Sequence, residues 1–257
     1  AAAYLEWLSE RGYSEWTVHH RRSDLRFFLA WCEERGISEP QELTRLVLER
    51  YQKSVAHTAK RNGEPLSFHA QHLRLSAVRA LCQWLARQRM ILYNPAAELE
   101  LPRLGRRLPK AVLSASEAER LLNTPDVTTA LGVRDRAILE TFYSTGVRRS
   151  ELIRLSIYEV DLERGTLLVR EGKGRKDRFV PIGERALAWT RRYLEEVRPG
   201  LAIAPDDGTL FLTRYGRPFT PNGMSTLVKR LVARAGIGKE GSCHMLRHTM
   251  ATVMLEG

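Results

Sequence analysis

Thr166-Leu167-Leu168-Val169-Arg170-Glu171-Gly172-Lys173-Gly174-Arg175-Lys176-Asp177-Arg178-Phe179-Val180-Pro181 is the stretch on which the fold class turns. Residues 166–170 and 178–181 are short β-prone runs, and the charged segment between them carries two glycines. That pattern reads as an antiparallel hairpin closed by a glycine-bearing loop. Strand signals appear in no earlier segment. The expectation is a mainly α chain in which a small antiparallel β-sheet sits inside an α+β domain.

Working outward, helical periodicity returns on both sides. Toward the C-terminus it covers residues 184–197, 221–235 and 244 to the end. Toward the N-terminus, residues 149–155 form a short helical turn, Thr145-Gly146 breaks the chain, and residues 134–144 form another helix. Ser114-Ala115-Ser116-Glu117 has the capping-box spacing, so a helix and a new domain start near Val112. The preceding run Leu101-Pro102-Arg103-Leu104-Gly105-Arg106-Arg107-Leu108-Pro109-Lys110 holds two prolines, a glycine and four cations, and reads as a linker. Before it, residues 17–35 place Val18, Leu25, Phe28, Leu29 and Cys32 mostly on one helical face, and Gly36 stops the helix. Shorter helical segments follow over residues 42–55. A Gly63-Glu64-Pro65 turn then precedes a cap at Ser67, and residues 67–90 repeat the pattern with Val78, Leu81, Cys82 and Leu85. The Ala-rich start is set aside. The chain thus divides into a helical domain (1–100), a basic linker (101–111) and a mixed domain (112–257).

The charge balance suits this organisation to a polyanion. Lys plus Arg number 41 against 30 Asp plus Glu, a net charge of +11. Nucleic acid is the first candidate partner and an acidic membrane surface the second. No apolar run is long enough to span a bilayer, and the first residues lack a secretory pattern. Cys32, Cys82 and Cys243 are odd in number, far apart and without metal-ligand spacing, which is the usage of a reducing compartment. A soluble, cytoplasmic protein is expected.

Three pieces of the second domain carry cations that a solvated surface alone does not explain. In Thr145-Gly146-Val147-Arg148-Arg149-Ser150-Glu151-Leu152, a glycine break delivers arginine at the start of a helix. Lys173 stands in the hairpin loop. In His244-Met245-Leu246-Arg247-His248, His244 and Arg247 are three residues apart and share a helical face. Two arginines, a lysine and a histidine can surround one phosphodiester. The guanidinium forks bind its non-bridging oxygens and stabilise a pentacoordinate transition state without a metal, while lysine and histidine move protons. Taken singly, each piece reads more simply as a surface ion pair or ordinary hairpin chemistry. Their combination, in that order and in a basic two-domain chain, carries the functional reading. Glu151 and Asp135 are read as braces for arginines or for the local fold.

These three segments resemble the successive active-site segments of tyrosine site-specific recombinases of the phage-integrase and Xer type. Residues 17–36 and 75–85 resemble that family's core-binding helices, and Leu108-Pro109-Lys110 resembles its linker, so the resemblance covers nearly the whole chain. It implies a SAM-like core-binding domain, with Arg148 and Arg247 as catalytic arginines, Lys173 as general acid and His244 as the motif histidine. It implies no metal, ATP or organic cofactor. The reaction would conserve phosphodiester energy in a 3′-phosphotyrosyl bond. The partners would be a double-stranded recombination site, gripped by a C-shaped clamp, and a homotetramer or a heterotetramer with a related recombinase. No membrane is implied, and the place of action is the cytoplasm, on the nucleoid. His19, Arg21, Arg22, His69, Arg74, Arg103, Arg106, Arg107 and Lys110 are the expected DNA-facing residues.

The family's nucleophilic tyrosine lies C-terminal to the His-x-x-Arg segment. Here Tyr143, Tyr158, Tyr193 and Tyr215 all precede it. The nucleophile is therefore expected beyond Gly257, the alternative being a tyrosine delivered in trans by a neighbouring subunit. A type IB topoisomerase shares the chemistry but would relax supercoils without pairing sites. A noncatalytic architectural DNA-binding protein would share the charge yet have no need of the four clustered residues.

Overall fold

The computed structural model describes residues 1–60, 62–105, 112–170 and 176–256. The chain separates into two compact units, Ala1–Arg106 and Arg107–Gly257. Arg106, Arg107, Lys110 and Lys173, all expected to touch DNA or take part in chemistry, lie outside the described residues.

Among its described residues the first unit contains four α-helices: α1 (Ala2–Glu10), α2 (Glu15–Glu33), α3 (Arg45–His57) and α4 (Phe68–Arg87). Side-chain caps start three of them: Ser14 accepts the Thr17 N–H, Thr44 that of Val47 and Ser67 that of Ala70. Each such cap stabilises its helix by about 1 kcal/mol. Gly36, at φ +66°, ends α2, and the Ile37 N–H turns back to the Cys32 carbonyl. The expected core residues Val18, Leu25, Phe28, Cys32, Val78, Leu81, Cys82 and Leu85 are all buried, together with Leu48, Tyr51 and Val55 of α3. Leu29 is a correction, being 43% exposed. The buried face of α2 centres on Phe28 and Cys32, which brings in Trp31 on one flank and turns Leu29 out on the other. The Ala-rich start also proves structural: Tyr4, Leu5 and Leu8 of α1 join this core, and Tyr4 and Trp7 pack on Trp84.

The second unit begins with α5 (Ala115–Leu122), capped reciprocally by Ser114 and Glu117. The central helix α6 (Ala130–Thr145) packs against both α8 (Glu184–Arg192) and α11 (Cys243–Glu256). It starts four residues before the expected position because Thr129 caps it, accepting the Gly132 N–H. Its burial is nearly all-round and extends to charged side chains. Arg136, for example, donates to Glu140, the Leu122 carbonyl and Asn123. After α7 (Arg149–Arg154) comes a three-stranded antiparallel sheet in the order β1-β2-β3, comprising Val160–Asp161, Thr166–Val169 and Arg178–Pro181. The hairpin register pairs Leu167 with Val180 and Val169 with Arg178. From α8 the chain runs through a π-turn, Tyr193–Val197, into α9 (Arg198–Leu201), and α10 (Pro221–Arg234) precedes α11. Ile138, Leu139 and Phe142 of α6 lie at the centre of the core, with Leu152, Leu167, Val228 and Leu246 around them.

Candidate active site

The site starts with a turn. Gly146 closes α6 at φ +55°, ψ +23°, its N–H bonded to the Phe142 carbonyl. A β-carbon there would suffer in backbone energy and would meet Met250 Cε at 2.0 Å. The reversal sends Val147 into the core, 2% exposed, and leaves Arg148 extended (φ −72°, ψ 150°) at the head of α7.

Glu151, one turn into α7, organises the arginines around it. Its carboxylate accepts the Arg148 backbone N–H at 2.7 Å and Arg148 Nη1 at 2.7 Å. From the sheet, Arg178 presents a two-pronged fork, Nη1 to Oε1 at 3.1 Å and Nη2 to Oε2 at 2.8 Å. Only 2% of the Glu151 side chain is exposed, against 36% for each arginine. Burial pushes the carboxyl pKa up, but the hydrogen bonds from Arg178 and Arg148 outweigh it and hold the group at about 2.

Helix α11 supplies the opposite side. Arg247 Nη1 donates to the Gly146 carbonyl, which joins α11 to the turn that places Arg148. Burial lowers the Arg247 pKa, the neighbouring Arg148 and Arg178 charges lower it further, and Glu151 opposes them. The four groups therefore share one electrostatic neighbourhood. His244 lies one turn before Arg247 on α11, and its pKa is lowered by burial and then by Arg149, His248 and Arg247. The imidazole is therefore neutral at neutral pH and able to accept a proton. The helix itself is pinned by Thr249, whose hydroxyl donates to the Met245 carbonyl and accepts the Leu113 N–H. Arg149 Nη1 donates to Ser225 Oγ at 2.6 Å and so joins α7 to α10.

Arg148, His244 and Arg247 are thus brought together from two distant segments. Glu151 braces an arginine, as expected. Arg178 was missed by sequence reasoning, although a signal existed: along β3, Arg178 and Val180 are half-buried while Phe179 and Pro181 are exposed. Period-2 alternation from Val180 puts Arg178 on the inner face, where a cation needs a carboxylate. Nε and Nη2 of Arg148 make no hydrogen bond among the described residues, which leaves them able to donate to an anion. Asp135, also read as a brace, accepts from Arg134 within α6.

The tyrosines stand elsewhere. Tyr193 is buried in the core with its hydroxyl accepting the Leu212 N–H, and burial raises its pKa. Tyr158 and Tyr215 are exposed, the latter beside Arg214, and Tyr143 is half-buried against the core.

In the first unit, the packing of α2 on α4 brings Arg74 within electrostatic reach of Asp24, which Arg21 of the same helix α2 also influences. The Arg74 guanidinium sits 3.8 Å from the centroid of the Phe27 ring, itself 40% exposed. His19 and Arg22 are exposed along a groove shared with Trp16, while His69 and Arg103 are exposed at the start of α4 and in the segment after it. Among the described residues expected to face DNA, Arg21 and Arg74 thus share the neighbourhood of Asp24, and His19 and Arg22 share a groove.

Comparison with known proteins agrees in both units. Residues 111–257 match the family described as "Phage integrase family", and residues 1–89 match "Phage integrase, N-terminal SAM-like domain". The chain is 51% identical over 254 residues to "Tyrosine recombinase XerC 2" of Ralstonia nicotianae, covering 99% of this chain and 73% of that one. It is 36% identical over 249 residues to "Tyrosine recombinase XerD" of Pseudomonas putida, covering 97% and 80%. Among solved structures, XerH site-specific recombinase bound to its difH substrate in a pre-cleavage complex superposes with a TM-score of 0.76 at 20% identity, covering 100% of this chain and 75% of that one.

Proposed function

We propose, for a chain that belongs to the phage integrase family as a Xer-type tyrosine recombinase, that Arg148 and Arg247 bind the non-bridging oxygens of the scissile phosphate. The protein is an enzyme of site-specific DNA recombination, cleaving and rejoining DNA strands, and its partner is DNA. In this reading His244 accepts or shares a proton beside the phosphate, and Lys173 protonates the departing 5′-oxygen. The attacking hydroxyl belongs to a tyrosine outside residues 1–257. One observation carries the whole: Arg247 is bonded to the carbonyl of Gly146, the residue whose turn positions Arg148. Charge that builds on the phosphorane oxygens then meets guanidiniums already in place, which costs no rearrangement at the moment of reaction.

The helical unit, residues 1–100, binds the core site through Arg21, Arg22, Arg74 and their neighbours, and the active assembly is a tetramer on two paired sites. It acts in the cytoplasm on nucleoid DNA. No helix among the described residues is long and apolar enough to cross a membrane.

Covalent trapping on a nicked suicide site tests the reading, comparing the 257-residue chain with the product of the complete reading frame, with peptide mapping of the adduct. A phosphotyrosyl adduct in the longer protein alone, mapped beyond Gly257 and reduced at least ~100-fold by Arg148→Ala or Arg247→Ala, is the expected result. A site that is bound but never cleaved by either protein would move the noncatalytic DNA-binding reading ahead.

A further inference from the structure

We propose that Arg178 is a positioning residue for cleavage, one that sets the Arg148 guanidinium through the shared Glu151 carboxylate and does not itself bind the phosphate. The inference rests on the reading of Arg148 as a phosphate-binding arginine, and the geometry carries it. Glu151 Oε1 accepts Nη1 of both arginines, at 2.7 Å from Arg148 and 3.1 Å from Arg178. Its Oε2 accepts the Arg148 backbone N–H at 2.7 Å and Arg178 Nη2 at 2.8 Å. Both terminal nitrogens of Arg178 are therefore committed to the carboxylate, whereas Arg148 commits only one. A bidentate fork also fixes the plane of the carboxylate, which a lone acceptor on the short helix α7 could not do for itself. The fork comes from β3, which is held to β2 by the Val169–Arg178 pairing, so the sheet dictates the orientation and α7 complies. Lysine in the same place would supply charge without the plane.

The same contacts produce a pH effect. Glu151 is faced by Arg148 at the head of its own helix, Arg178 of β3 and Arg247 of α11. Arg154, Glu159, Arg170 and Asp177 line the cavity on its other flank. Removing Arg178 takes away the largest of the influences that hold the buried carboxylate ionised. Its protonation then moves up toward the working range, and the contact to Arg148 is lost as pH falls.

The experiment uses the product of the complete reading frame. Single-turnover cleavage of the suicide site and equilibrium site affinity are measured across pH for Arg178→Ala, Arg178→Lys, Arg148→Ala and the Arg178→Ala/Arg148→Ala pair. Thermal melting establishes that each is folded. The expected result is a tenfold or greater loss of cleavage rate in Arg178→Ala with site affinity within about threefold, together with a new acid limb in its pH profile. Arg178→Lys should fail to restore the rate, and the pair should cleave no more slowly than Arg148→Ala alone, because residues acting through one another are not additive. Losses that multiply in the pair, an affinity that falls in step with the rate, or full rescue by lysine would each show an independent phosphate contact and overturn the proposal. Undiminished cleavage by Arg148→Ala would instead remove the underlying assignment of Arg148.

Discussion

Glu151 is ionised in the folded protein down to about pH 2, below its ordinary 4.5, because four hydrogen bonds from Arg148 and Arg178 outweigh its burial. A carboxylate with a depressed folded pKa contributes stability that is fully present above the ordinary value and lost as pH falls through the folded one. The window here is about pH 4.5 to 2. A shift of this size corresponds to a contribution on the order of 3 kcal/mol, an upper figure given that Arg148 and Arg178 are partly solvated. Urea denaturation of Glu151→Gln should show reduced stability at pH 7 and a flatter decline across that acid window than the parent; identical pH profiles would contradict the assignment. The His244 shift has the same pH sense, with stability lost as pH falls, although here folding favours the neutral form of the group. Its folded pKa lies below 6.5, so folding favours the neutral ring and protonation below that value opposes it. Imidazole resonances should titrate below 6.5 in the free protein and move upward once a duplex site supplies phosphate, read by NMR of the labelled histidine. Titration of the free protein at or above 6.5 would sink this.

At the scale of elements, the two glycines of α6 differ in what they tolerate. A β-carbon at Gly132 would lie 1.7 Å from the Asp126 carbonyl oxygen, a backbone atom that cannot swing aside. At Gly146 the nearest atom is the mobile tip of Met250, so the remaining penalty is the positive φ. Gly146→Ala should therefore cost about 1–2 kcal/mol, and Gly132→Ala about 3 kcal/mol or more, since overpacking against backbone forces a shift of the helix start. Chemical denaturation of both variants checks the order, and the reverse order would refute it. Much at this scale was legible from the sequence. The hairpin, the Ser67 and Ser114 caps and the glycine stops are written in local residue chemistry. What escaped was tertiary. Charged Arg136 and Glu140 are buried because they pair at i, i+4 and Arg136 also donates to the Leu122 carbonyl, a partnership no local pattern announces. Likewise β1, two residues long, exists only through pairing with β2, and no two-residue pattern announces a strand.

For the molecule as a whole, the net charge of +11 announces a polyanion, and the family resemblance extended to both units. Charge alone did not say which cations would be clustered. Arg74, 53 positions from Arg21 by number, joins it in acting on Asp24 only because α2 packs on α4. Site affinity of the full protein should fall steeply with salt, and Arg21→Ala or Arg74→Ala should each flatten the log–log slope by about 1 while leaving the preference for site over random DNA nearly unchanged. An unchanged slope would remove that residue from the phosphate-contacting set. Because Arg74 also stacks on Phe27, Arg74→Lys should retain the slope but lose part of the affinity.

Consider finally the balance of formal charge around Glu151. Arg148, Arg178 and Arg247 bring three positive charges to one negative, a surplus of two among the described residues. A phosphodiester carries one negative charge at rest and gathers a second as a phenolate adds to phosphorus. Under the proposed assignment, these four described groups carry excess positive charge before DNA binds, keep part of it with intact DNA in place, and are best matched when the bond is half made. In that reading ground-state DNA would be matched less well than the phosphorane.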